Sequence, residues 1–248
     1  MRYRDRTIRS VAHVLRALKE QATPRQSVWF RGHAVKQWKL VPSLARKRAH
    51  LSAESALIKR FIQNAAPHLD VQPQQEWEWM FMMQHHRAAT RLLDWTESPL
   101  AALYFAVTEP EHRRAAGAVW CLDPLALNQA AGIRFDFDQE IPALGSDKVL
   151  DSYLPSHVRD NPSELFPIAV MGPRNTKRMA AQLGTFTINH RVHTPIEKLG
   201  NTKHVWRWII PAGAKEELQQ ELARLAVSAL ALFPELDKVA ELTKELLR

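Results

Sequence analysis

Four short apolar runs constrain this chain most: SVWFRG at 27–32, GAVWCLDP at 117–124, LFPIAVMGP at 165–173 and KHVWRWIIP at 203–211. Each has the length and the β-branched or aromatic content of one strand, and each ends at Gly, Pro or Asp-Pro. Segments of helical period stand between them. Residues 7–20 place Ile8, Val11, Val14, Leu15 and Leu18 on one face, with Thr7 or Ser10 as cap. Residues 52–64 repeat the pattern with Ala56, Leu57 and Phe61, and Ser52 and Ser55 are cap candidates. EWEWMFMMQHH at 76–86 reads as a core helix rich in Trp and Met. SPLAALYFAVTE at 98–109 has the clearest start, because Ser98 supplies a cap oxygen and Pro99 sits where a missing N–H costs nothing. A short helix at 176–182 precedes a turn at Gly184 and a strand from Thr185. Residues 132–165 show no sustained period and read as irregular. Residues 214–248 read as two helices broken at FPELDK. Strands interspersed with helices indicate an α+β fold.

At 248 residues the chain suits one large domain, with or without an appended helical unit, and can bury a core without disulfides or metals. The single Cys121 excludes a disulfide framework and a multi-cysteine zinc site, and reads as a buried apolar residue. No apolar stretch approaches the ~20 residues of a spanning helix. No apolar segment follows the basic start MRYRDRTIRS, so it does not read as a secretory signal. These features predict a cytoplasmic protein with no membrane partner. Lys+Arg outnumber Asp+Glu by 34 to 26, a net charge of +8 with a pI near 9.8. Such a surplus favours a polyanionic partner, RNA, DNA or a dinucleotide; a chain that is merely cationic is the other reading.

Four polar clusters are candidates for chemistry. Arg31 and Gly32 close the first apolar run, where an arginine projects into a cleft or else lies in a surface turn. A glycine there lets a ligand approach the backbone, and arginine binds phosphate or carboxylate in bidentate fashion. His85 and His86 are adjacent, a spacing poor for a metal pair, and no metal is expected. In TRLLDWTES at 90–98, Arg91 and Asp94 are positioned to pair and to fix a loop ahead of the Ser98 helix, whose start is a phosphate seat or simply a capped end. Arg178 and Gln182 lie one turn apart before Gly184. Walker, Rossmann, nucleophile-elbow and zinc-deaminase signatures are absent from the sequence.

In this order the clusters resemble the FRG domain: WFRGH at 29–33, WKLVPSL at 38–44, MQHHRAATRLLDWTESPLAALYFA at 83–106, RMAAQLGTFT at 178–187, Ile210-Pro211, and an LFPELDKVA tail at 232–240. At 87–89 the chain has Arg-Ala-Ala where the family more often has a glycine, an apolar residue and a proline. The resemblance implies an FRG-type α+β domain over 1–211, with a C-terminal helical pair at 212–248 packed on it. It further implies a toxin–antitoxin or anti-phage setting, with a cognate antitoxin protein as a partner. The layout is also similar to ADP-ribosyltransferases, which implies a small mixed-sheet core with flanking helices and NAD as substrate. Carried over, Arg31 holds NAD, Thr96 or Ser98 shapes the nicotinamide pocket, and Gln182 takes the place where a glutamate is usual. Glutamine binds a ribose hydroxyl but is no general base, so His85, His86 or Asp94 would remove the acceptor proton. The catalytic set is then Arg31, His85, Asp94 and Gln182. Arg31, Gly32, Trp95, Thr96, Ser98 and Tyr104 bind NAD, and His86, Arg91 and Arg178 meet nucleic acid. The expected function is ADP-ribosyl transfer to nucleic acid, RNA favoured. The alternative is a nucleic-acid-binding module or a metal-independent RNase using His85 and His86.

Overall fold

The computed structural model describes residues 1–132, 140–160, 163–191 and 194–245. In chain order its elements are β1 (Arg6–Thr7), α1 (Val11–Gln21), β2 (Trp29–His33), α2 (Arg48–Ser52), α3 (Glu54–Ala65), α4 (Glu76–His85), β3 (Leu92–Thr96) and α5 (Pro99–Val107). Then follow β4 (Gly117–Leu122), α6 (Pro124–Ala130), α7 (Pro155–Asp160), β5 (Ile168–Val170), α8 (Lys177–Ala181), β6 (Gly184–Ile188), β7 (Val205–Ile210), α9 (Lys215–Arg224), α10 (Ala229–Leu232) and α11 (Leu236–Glu245). The fold is α+β. Seven strands form one sheet in the order β1-β7-β4-β2-β3-β6-β5. Its pairs are antiparallel except β1 with β7.

Alternation along the strands builds three cores. On one face Phe30, Val119, Cys121, Trp206, Trp208 and Ile210 pack with α1, α5 and α9, and Leu218 and Leu222 of α9 belong to this cluster. Farther along, Leu92, Phe186, Ile188, Ile168 and Val170 pack under Met80 and Phe81 of α4. Trp29, Trp120, Leu122, Leu93, Trp95 and Val205 form the third cluster, their side chains alternating with those of the first two. Cys121 is a free, buried thiol, as its apolar run implied.

Several elements differ from the sequence reading for local reasons. Thr7 belongs to β1 and Ser10 caps α1, and the buried face of α1 runs through Val14, Ala17 and Gln21, which leaves Leu15 exposed. The helix expected over 52–64 is α3, begun two residues later and preceded by the separate short α2, and neither Ser52 nor Ser55 caps it; Ala53 precedes it without a side-chain bond. Within the stretch 90–98, Leu92–Thr96 form a strand rather than a loop, because Leu92, Leu93 and Trp95 are buried on alternate faces. Within 132–165, residues 133–139 and 161–162 lie outside the described residues. The remainder holds α7 and a short 3-10 turn, Lys148–Tyr153, anchored by Tyr153, whose hydroxyl donates to Phe166 O at 2.7 Å. The C-terminal stretch forms three helices, because Ser228 caps a separate short one. Among the described residues no helix is long and apolar enough to cross a membrane.

Candidate functional site

The sheet is split at its centre. β2 pairs with β4 along its whole length and β3 with β6 along its whole length, but β2 and β3 meet at one pair, Phe30 opposite Thr96. Beyond it the strands diverge. The Arg31 guanidinium crosses the gap, with Nη1 donating to Asp94 O at 2.5 Å and lying 3.7 Å from Asp94 Oδ2. A carbonyl left without a strand partner is thus satisfied by a side chain.

A cavity of about 390 Å3 opens at this split, within the range of small-molecule sites. Arg31 and Gly32 of β2, Asp94 and Thr96 of β3 and Phe186 of β6 line it, together with residues at the ends of α4, α5 and α8. Of the residues expected in the site, Arg31, Gly32, His85, Asp94, Trp95, Thr96, Arg178 and Gln182 all line this one cavity.

Two networks set its geometry. Arg31 Nε donates to His33 Nε2 at 3.1 Å, so His33 must carry its proton on Nδ1, which donates to Trp38 O at 3.2 Å. Burial, then the Arg31 charge, pushes the His33 imidazole down to about 3, so it stays neutral beside the guanidinium. Burial also lowers the Arg31 pKa, with Asp94 opposing that shift. In the second network, Leu92 N donates to the Thr90 hydroxyl, Thr90 donates to Gln84 Oε1, and Gln84 Nε2 donates to Asp94 Oδ2 at 2.8 Å. Each member has one available role, so the Asp94 carboxylate is oriented from behind by Gln84.

The rim is basic. Arg87 follows α4 with φ 61°. Ala88 N bonds Met83 O and Arg87 N bonds Gln84 O, the Schellman closure that usually places glycine where Arg87 stands. Arg178 lies 4.8 Å above the Phe233 ring. Its pKa is lowered, first by burial and next by Arg87. His85 is held down by burial and then by His86 and Arg178. Glu109, just past α5, and Asp94 are the carboxylates on the lining.

Several sequence expectations are corrected. Gly32 leaves no room for a ligand at its Cα, since a Cβ there would stand 1.9 Å from Ala102 O; its bareness admits α5 instead. Arg91 does not pair with Asp94 and does not reach the surface. It is 1% exposed, chelates Glu54 through Nε and Nη2, and donates Nη1 to Asn189 O at 3.1 Å. Trp95 offers no stacking face: it is 3% exposed and its indole donates to Thr187 Oγ1 at 3.1 Å. The Thr96 hydroxyl commits its proton to Gln182 O and accepts from Ser98 N. Ser98 caps α5 by accepting from Ala101 N, yet it is not on the cavity lining. The start of α5 borders a separate groove with Leu18 and Pro24, and its other end, at Phe105, reaches the cavity. Tyr104 packs against the first core, where burial raises its pKa. Gln182 spends its amide on Leu232 O at 3.0 Å, tying down the C-terminal segment. His86 is exposed on the outer side, in a shallow groove with Glu235 and Glu241.

The sequence reading did not assign site roles to His33, Gln84, Arg87, Trp38, Phe105 and Glu109. His33 and Gln84 stand inside the motifs already noted; Glu109 and Phe105 gave no signal, since they join the site only through the path of α5.

No curated protein and no solved structure matches the chain. Residues 26–115, which carry β2, α4, β3 and α5 and with them Arg31, Gln84 and Asp94, match the model of the FRG domain.

Proposed function

We propose that the cavity binds NAD and that the chain transfers ADP-ribose to a nucleic acid, RNA first among them, as a growth-arresting or phage-defence effector. The observation that carries this reading is the convergence of Arg31, Arg87 and Arg178 with an oriented carboxylate, Asp94, on one partly buried cavity. Arginine side chains suit a pyrophosphate, and the partial burial of Arg31 and Arg178 strengthens the attraction. The cavity sits low in the small-molecule range, so part of a dinucleotide extends over the rim.

In the reaction the bond between ribose C1′ and the nicotinamide nitrogen breaks, and its electron pair leaves with neutral nicotinamide. An acceptor oxygen or nitrogen bonds to C1′ and loses its proton. Because the charge develops on the ribose, positioning and electrostatics matter more than a strong nucleophile. Asp94 is the proposed base, its direction set by Gln84; Gln182 has no basic atom, and its amide holds Leu232. The net charge of +8 supports a polyanionic acceptor.

The test is incubation of the purified chain with labelled NAD and with RNA, DNA or protein. Release of nicotinamide that needs both NAD and nucleic acid, lost in Asp94→Asn, is the expected result. A chain that consumes no NAD with any acceptor overturns the reading. One observation favours a second reading, metal-independent RNA cleavage: His85 lines the cavity and its lowered pKa keeps it a free base. RNA shortened without NAD in the same incubation, and not by His85→Ala, selects that reading.

A further inference from the structure

Trp38 is anomalous among the eight tryptophans. Trp29, Trp79, Trp95, Trp120, Trp206 and Trp208 are buried, whereas Trp38 is 44% exposed and lines the cavity beside Arg31. Leaving so large an apolar ring in water forgoes burial that those six obtain.

The ring is nevertheless held in place. Trp38 N bonds Val35 O at 3.1 Å and Trp38 O receives the His33 Nδ1 proton. Two residues on, Leu40 is fully buried, its N bonded to Glu197 Oε2 and its O to Ile196 N, both at 3.1 Å. The indole itself meets His33 and His112 edge to face, at 5.9 and 5.1 Å between centroids. The same His33 imidazole binds Arg31 Nε. One buried ring therefore fixes both a cation and an exposed aromatic plane at the same cavity, and a pre-set aromatic loses little freedom on binding.

We propose that Trp38 is the stacking platform for a planar heteroaromatic base whose phosphate is taken by Arg31, so that the site selects nucleotides over base-free sugar phosphates. This rests on the reading of the cavity as a nucleotide site. Base–aromatic stacking is tolerant of which base is present, so the platform confers selectivity for having a base rather than for its identity.

Calorimetric titration of the full chain with AMP, ADP-ribose and ribose 5-phosphate tests it, using wild type, Trp38→Ala and Trp38→Phe. Trp38→Ala is expected to bind AMP and ADP-ribose about 10- to 100-fold more weakly. Ribose 5-phosphate binding is expected to be unchanged, and Trp38→Phe to retain most of the AMP affinity. Undiminished AMP binding by Trp38→Ala overturns the platform while leaving the nucleotide site standing. So does a parallel loss of ribose 5-phosphate, which marks a structural role. Failure of wild type to bind any of the three overturns the nucleotide reading and the platform with it.

Discussion

The Arg31 guanidinium donates to the main-chain oxygen of Asp94 at 2.5 Å, so a side chain closes the sheet where two strands part. Removing it is expected to lower both affinity and stability. Arg31→Ala frees the Asp94 carbonyl and the His33 Nε2 acceptor at the cavity wall, and is expected to cost about 1–3 kcal/mol of stability. Binding of ADP-ribose should fall far more, by about two charge-assisted bonds of roughly 1.5–3 kcal/mol each. Paired thermal melts and ligand titrations check the split; a large early melt with modest binding loss contradicts it.

Arg87 occupies a left-handed turn at φ 61°. Arg87→Gly is expected to stabilise the chain by about 1 kcal/mol, since glycine adopts that conformation without steric penalty. The same change removes a cation from the rim and should weaken AMP and RNA binding. Opposite signs in denaturant midpoint and affinity are the expected signature.

Glu54 and Arg91 form a buried bidentate pair, with side chains 10% and 2% exposed. Glu54→Ala strands the guanidinium in the core and is expected to cost about 3–5 kcal/mol. Chemical denaturation reads this directly. Nucleic-acid affinity per folded molecule should not change in a variant at Glu54, because Arg91 faces the interior.

Gly32→Ala would drive a methyl group into the Ala102 carbonyl of α5. Backbone cannot yield as a flexible side chain does, so the variant is expected to lose at least ~3 kcal/mol or fail to accumulate folded. Normal folding of this variant would show that α5 can shift.

His33 predicts a pH dependence. Its folded pKa, about 3, lies below the ordinary 6.5. Below pH 6.5 the unfolded chain takes up a proton that the folded chain refuses. The stability this contributes is therefore complete above pH 6.5 and is lost as pH falls toward 3, at about 1.4 kcal/mol per pH unit. His190, pushed down to about 4 by burial, loses stability in an overlapping window. The difference in stability between wild type and His33→Gln across pH 4–7 isolates the first; a flat difference contradicts the assignment.

What the sequence disclosed was local. Ser98-Pro99 announces a helix start because a cap is encoded within four residues. The burial of Cys121 follows from its short apolar run, and the strand expected from Thr185 is present with its start one residue earlier, at Gly184. What it could not disclose was choice of partner. Arg91 has Asp94 three residues away and Glu54 thirty-seven away, and only the fold decides for Glu54. Gly32 signals a close approach, but whether a ligand or a helix approaches depends on where α5 crosses. That Arg31, Asp94 and Gln182 line one cavity was legible because polar groups cluster at strand ends. Their roles were not, since Gln182's amide is taken by Leu232 at the far end of the chain.

The split sheet also orders events during synthesis. Residues 26–115 supply Arg31, Gln84 and Asp94, yet the far wall of the cavity, Arg178, Gln182 and Phe186, belongs to α8, the residue after it and β6. Until β6 has left the ribosome, β3 presents an unpaired edge and Asp94 faces no opposite wall. A nascent or prematurely terminated chain holding the whole family-matching segment therefore has the arginine and the carboxylate without an enclosed site. The cavity gains its second wall only after synthesis has passed β6, well beyond the family-matching segment.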